Sequence, residues 1–192
     1  EVAGFGPEAI YFPIFQPEGD FIVQQVGGIS GLEDVTLIGA DGLAISDFYT
    51  LPETTGMYFS GPDLNFGENV SSTGVNAADF LSRYEESFGE QPSAAFWAHS
   101  YDAAILLLTA IQSVAVEGAD GTLYIDRQAL RDELNGTTDF PGIIGLITCD
   151  EFGDCGAQRI SVIEHQGDPE TVGNNVVFTA ARSDLIDLIT GG

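Results

Sequence analysis

The chain has 192 residues, with 30 acidic side chains, five arginines and no lysine, for a formal charge of −25. That charge excludes nucleic acid and anionic membrane surfaces as partners, because both need a basic face. The longest apolar run, Ala103 to Ala110, falls well short of the roughly 20 residues that a membrane helix needs, while the length suffices for one sizeable domain or two smaller lobes.

The chain opens with Glu1-Val2-Ala3-Gly4-Phe5-Gly6, with no initiator methionine or signal peptide, and this reads as a processed or truncated start. Ala9 to Phe15 is predicted to be a short aromatic strand. A helix follows, with Phe21, Ile22 and Val26 at helical spacing and Gly27-Gly28 as its stop. Val35 to Gly39 is a second strand, apolar on both faces as in a covered parallel sheet, with Asp41-Gly42 at its end. Met57 to Phe59 is a third. This strand–helix–strand rhythm is an α/β pattern.

Residues 61 to 75 are rich in Gly, Pro, Asp and Asn and read as a crossover segment. Asn76 is placed to cap a helix carrying Phe80, Leu81 and Tyr84, which stops at Gly89 to Pro92. A long helix is predicted from about Ala94 to Val116, with Tyr101, Ile105, Leu108 and Ile111 as its apolar stripe and Asp102 on its surface. Asp126 caps a shorter helix through Leu134. Gly142 to His165 reads as one hairpin region turned at its cysteines, and Ser183 to Ile189 as a short terminal helix.

Cys149 and Cys155 are the two cysteines of the chain, and they bracket Asp150-Glu151-Phe152-Gly153-Asp154. A turn with Asp and Gly at its centre brings its ends together, so the pair is read as a disulfide. Such a bridge adds about 2 kcal/mol by restricting the unfolded chain and points to an oxidising compartment. Two free thiols, or half of a metal site, are the alternatives. With only two histidines, His99 and His165, a zinc site is not expected, and no cofactor or metal is assigned.

Four ordered segments resemble the type I periplasmic binding proteins, in particular the branched-chain amino-acid (Leu/Ile/Val) receptors of ABC transporters. They are Ala9-Ile10-Tyr11-Phe12-Pro13-Ile14-Phe15-Gln16-Pro17-Glu18; Leu37-Ile38-Gly39-Ala40-Asp41-Gly42; Tyr84 through Ser100-Tyr101-Asp102-Ala103; and Phe140-Pro141-Gly142-Ile143-Ile144-Gly145 with Asp150-Glu151-Phe152-Gly153-Asp154. The resemblance implies an α/β fold of two parallel-sheet lobes with flanking helices, closing by hinge motion over a ligand held between them. On that pattern residues 1–61 are part of the C-terminal lobe, residues 62–156 the second half of the N-terminal lobe, and residues 157–192 the return to the C-terminal lobe and tail. The full receptors are much longer, so the fold is expected to be incomplete at its N-terminus.

Asp41 is the strongest site candidate. Open α/β sheets bind ligands outside the C-terminal ends of their strands, and the resemblance places there an acid that takes the ligand's α-ammonium. The competing reading is an Asp-Gly turn that only shapes the loop. Phe15 and Gln16 follow the first strand at an equivalent end, where the resemblance implies an aromatic wall and a polar contact; core packing is the alternative for Phe15. Phe96 and Trp97 precede the long helix, and the resemblance implies that one of them faces the ligand; a structural role is the alternative for the lone tryptophan. Neither histidine has a nucleophile in a recognisable elbow, and no phosphate-binding glycine loop occurs.

The resemblance implies an extracytoplasmic, periplasmic or extracellular solute-binding protein that captures a small polar ligand, an amino acid or amide, and presents it to an ABC permease. Lipid anchoring through a segment outside the chain and pairing with the missing N-terminal portion are further implications. A ligand-sensing domain of a signalling system and an α/β enzyme such as a hydrolase are the competing function classes.

Overall fold

The structure, a computed structural model, describes residues 1–157 and 159–181. In chain order the elements are β1 (Ala9–Phe12), α1 (Glu18–Val26), β2 (Thr36–Gly39), α2 (Ser46–Tyr49), β3 (Tyr58–Pro62), α3 (Ala77–Phe88), α4 (Trp97–Val114), β4 (Val116–Glu117), β5 (Leu123–Tyr124), α5 (Arg127–Asn135), β6 (Phe140–Gly142), β7 (Gly145–Cys149), β8 (Cys155–Gly156), β9 (Arg159–Glu164) and β10 (Val176–Ala181). They divide into two compact units. The terminal helix expected at Ser183 to Ile189 lies outside the described residues.

Unit 1 comprises Glu1–Leu64, Ser93–Ala95 and the described chain from Arg159 on. It is built on a five-stranded sheet in the order β1-β2-β3-β9-β10. β1 and β2 pair in parallel from Ala9 against Thr36 to Phe12 against Gly39, and β2 continues in parallel to β3. β1 stops at Phe12 rather than Phe15, because Pro13 has no N–H to give the ladder. β9 lies antiparallel to β3, and β10 antiparallel to β9.

The single hairpin expected over Gly142 to His165 is therefore corrected. Arg159–Glu164 pairs with Tyr58–Pro62, about a hundred residues earlier in the chain, and the cysteine hairpin ends at Cys155–Gly156. At the far end of that pairing Arg159 Nε donates to the buried Asp63 carboxylate at 3.0 Å.

The core of unit 1 gathers Phe12, Val23, Leu37, Leu43, Phe48 and Phe59 among others. Phe59 stands edge-on to Phe48 and Tyr49, with centroids at 6.0 and 5.1 Å. In α1 the inward positions are Gly19, Val23 and Val26. Phe21, expected on the apolar face, is more than half exposed.

Unit 2 comprises Asn65–Pro92 and the described chain from Phe96 to Ala157. Its helices start where local chemistry dictates. Asn76 caps α3 in a reciprocal box with Asp79, and Gly89 closes it in the left-handed conformation at φ 76°. Asp126 caps α5 by accepting from the Ala129 N–H at 2.8 Å. α4 begins at Trp97 rather than Ala94, because Ala94 is held in a β-bridge with Ile45 of unit 1.

β6, β7 and β8 form a small antiparallel sheet. Cys149 and Cys155 sit opposite each other in the β7–β8 register and are joined as a disulfide. Inside the loop they close, the Asp150 carboxylate accepts from the Phe152 and Asp154 N–H groups. No helix among the described residues is long and apolar enough to cross a membrane.

Two expectations for α4 are corrected. Its inward face is Ala98, Asp102, Leu106 and Ala110, not the stripe through Leu108, which is more than half exposed. Asp102 is not on the surface: it is 1% exposed, and its two oxygens accept from the Ile143 and Ile144 N–H groups at 2.9 Å each. A helix whose residues 105–108 read Ile-Leu-Leu-Leu has no unique apolar face to read. The acid's distant backbone partners select the inward one.

Candidate functional site

The C-terminal edge of the parallel strands in unit 1 brings two of the predicted site residues together. β2 ends at Gly39, and the chain turns through Asp41–Leu43 as a single 3-10 turn. Asp41 is exposed, and its Oδ1 accepts from the next residue's N–H, Gly42, at 3.0 Å. Beside it on β3 is Gly61, where a Cβ would stand 3.9 Å from that of Asp41.

Phe15 leaves the end of β1 with its ring laid on Gly42. A Cβ at position 42 would lie 2.7 Å from two ring carbons and 3.0 Å from the Ile14 carbonyl oxygen. Only glycine permits that approach. The ring remains 70% exposed, so it is displayed at the edge rather than packed in the core. An exposed carboxylate next to an exposed aromatic face is a pair that suits a small ligand with a cationic and an apolar part: a charge-assisted hydrogen bond serves one end and ring contact the other.

Gln16 is turned elsewhere, its Nε2 donating to Asp20 Oδ1 at 2.9 Å across the first turn of α1. Gly42 was read from the sequence only as part of an Asp-Gly turn, and Gly61, which no sequence signal marks, was not singled out.

The other two predicted site residues belong to unit 2. Trp97 is held in an aromatic cluster, stacked on Phe80 at 5.1 Å and edge-on to Phe66 at 5.3 Å. Phe80 also meets Tyr101, whose hydroxyl bonds Thr73 Oγ1 at 2.6 Å. Phe96 is 40% exposed and stands edge-on to His99.

His99 has its Nδ1 buried with no hydrogen-bond partner among the described residues. Desolvation pulls its pKa down, and the Asp102 charge one turn along pulls it back up. For Asp102 burial is the leading influence and raises the carboxyl, against the lowering effect of the two backbone N–H groups and of His99.

His165 is 1% exposed at the end of β9. Its Nδ1 lies 3.0 Å from Thr54 Oγ1, and because that hydroxyl donates to the Leu51 carbonyl at 2.7 Å, the histidine is the donor to it. The His165 backbone bonds Gly56 and Met57. These contacts make it a brace in the core of unit 1. Among the described residues no group of His, Cys, Asp and Glu is arranged to hold a metal ion.

No protein-family model matches the chain, and no curated protein sequence matches it. Solved structures do. A leucine-binding protein LivK from Thermotoga maritima aligns at 24% identity and TM-score 0.69 over 95% of this chain and 47% of its own. LivJ of Streptococcus pneumoniae, a branched-chain amino acid transporter substrate-binding protein solved in complex with isoleucine, aligns at 23% identity and TM-score 0.62 over 91% and 44%. A type 1 periplasmic binding protein from Bordetella pertussis aligns at 18% identity and TM-score 0.56 over 82% and 42%. The chain therefore has the type I periplasmic-binding-protein fold, and it spans about half the length of the proteins it matches.

Proposed function

We propose that the chain is part of an extracytoplasmic solute-binding protein that captures an amino acid or a small amide and presents it to an ABC permease. In this reading the rest of the fold comes from a complementary portion of the receptor, and no bond is made or broken. The observation that carries the reading is the edge of unit 1, where Asp41 and the ring of Phe15 stand within one residue of each other at the ends of parallel strands. The carboxylate takes the ligand's ammonium, and the ring takes its aliphatic part. The likeness in fold to proteins named for leucine and branched-chain amino-acid binding supports the same solute class. The disulfide between Cys149 and Cys155 fits an oxidising compartment.

The test is Asp41→Asn, which keeps an oxygen for the Gly42 N–H and removes the charge. Calorimetric affinity for the amino-acid ligand is expected to fall at least tenfold, equivalent to about 1.4 kcal/mol, with the thermal midpoint unchanged. Equal affinity in the variant removes Asp41 from the site.

A further inference from the structure

We propose that Gly61 decides which amines reach Asp41: the side chain it lacks leaves the space in which the ligand's ammonium-bearing carbon comes against the β3 backbone. This rests on the reading above, and it adds a second contact, from a different strand, to the end of the ligand that Asp41 binds. Glycine inside a strand weakens it, and it often marks a bulge or a place where a ligand or another backbone comes close. β3 has no bulge there, since its register with β9 runs from Tyr58 against Glu164 to Pro62 against Ile160 without a shift. Gly61 is also not among the glycines of positive φ, so backbone conformation does not call for it. Crowding by the protein does not call for it either. In β2 a Cβ on Gly39 would meet the Phe59 ring at 3.0 Å, and in β6 one on Gly142 would meet Asp102 Oδ2 at 2.6 Å. Among the described residues beyond its chain neighbours, a Cβ on Gly61 would find one atom within 4 Å, the Asp41 Cβ, at an ordinary contact distance of 3.9 Å.

The strand pairing explains why this open space lies beside the acid. β2 pairs with β3 at Ile38 against Tyr58 and Gly39 against Phe59. Past that point the β2 chain leaves the sheet through the Asp41–Leu43 turn, while β3 runs on to Pro62. Gly61 stands on this overhang, outside the end of the neighbouring parallel strand, where open α/β sheets take their ligands. An exposed carboxylate bordering open space is a partner for a primary ammonium, as carried by an α-amino acid or its amide. Any side chain at position 61 would stand in the room that such a group needs.

The test is Gly61→Ala and Gly61→Val in the protein as its host makes it, with Asp41→Asn alongside. Calorimetry with L-leucine, L-isoleucine and L-valine reads binding, and thermal unfolding reads the fold. Both Gly61 variants are expected to keep or raise the thermal midpoint, because alanine loses less chain entropy than glycine and valine suits a strand. Affinity is expected to fall by about tenfold or more in Gly61→Val and by less in Gly61→Ala. The loss is expected to be equal for the three probes, which share the end that meets Asp41. Unchanged affinity in Gly61→Val with weakened binding in Asp41→Asn overturns this proposal and leaves the reading of Asp41 standing. Weakened binding in Gly61→Val with Asp41→Asn unchanged overturns the reading of Asp41 and the ammonium's place with it. Unchanged affinity in all three variants, or no binding of any probe to the wild type, overturns both. A loss that grows with the probe's side chain puts that side chain over Gly61 and overturns the proposal. A lower midpoint in both Gly61 variants overturns it too, because the glycine then serves the strand itself.

Discussion

Asp102→Ala is expected to lower the unfolding free energy of unit 2 by about 3 kcal/mol, because it strips the acceptors from two backbone N–H groups and each orphaned donor costs about 1–3 kcal/mol. Those groups, Ile143 and Ile144, sit in the β6–β7 turn, and Ile143 is fully buried in the core with Phe66, Val75 and Ala98. Gly142 lies against the carboxylate so closely that a Cβ there would collide with it, 2.6 Å from Oδ2.

The deficit also depends on pH. Burial raises the folded pKa of Asp102, so the folded chain holds this proton more tightly than the unfolded one. The wild type's stability from this group is thus greatest below the ordinary carboxyl range and falls as pH rises through the raised value. His99 has the opposite sign: its folded pKa is lowered, so stability is lost as pH drops below the ordinary imidazole range, and losing the Asp102 charge lowers that pKa further. Both effects make the variant's deficit grow toward acid. Urea unfolding of wild type and variant between about pH 4 and pH 7 checks it, and a deficit that shrinks in acid contradicts the linkage.

Phe59→Ala is expected to cost about 3–5 kcal/mol in unit 1, the range for deleting a buried aromatic. Phe59 is 1% exposed and sits in the middle of the sheet, facing Gly39 of β2 on one side and Ile163 of β9 on the other. Its removal leaves Phe48 and Tyr49 without their edge-on partner. Tyr49 is buried enough that its phenol is pushed well above the usual range, so water admitted beside it will be visible in its titration. Hydrogen exchange should speed up in β2, β3 and β9 and stay unchanged in α3 and α4. A uniform response would mean that the two units do not unfold separately.

What the sequence made legible is what local chemistry decides. Asn76 and Asp126 announce their helices through side chains that reach only three residues ahead. The strand end at Gly39 follows from the Asp-Gly step after it. The cysteine pair needed only a turn between its members.

Two of the misreadings involve partners distant in sequence. Asp102 looked like a surface acid because its partners lie 41 and 42 residues away. Arg159–Glu164 looked like a hairpin arm because its true neighbour, β3, is about a hundred residues earlier. At the candidate site Asp41 and Phe15 were each readable from a strand end. Their adjacency runs through Gly42, a residue with no side chain to signal a contact. Gln16 was expected at the edge, and its bond to Asp20 is a helix-turn interaction that the i, i+4 spacing permits but does not compel.

Binding of a small amino acid or amide at the rim of the parallel strands in unit 1 is read by amide NMR of the host-made protein titrated with L-isoleucine, L-leucine, L-valine and their amides. At least one of these probes is expected to shift the amide signals of Phe15, Gly42 and Gly61 together and saturably, with the same shifts weakened in Asp41→Asn. If the whole panel leaves those three amides unmoved at millimolar concentration, or shifts a different region while they stay in place, the rim of unit 1 is not the binding site.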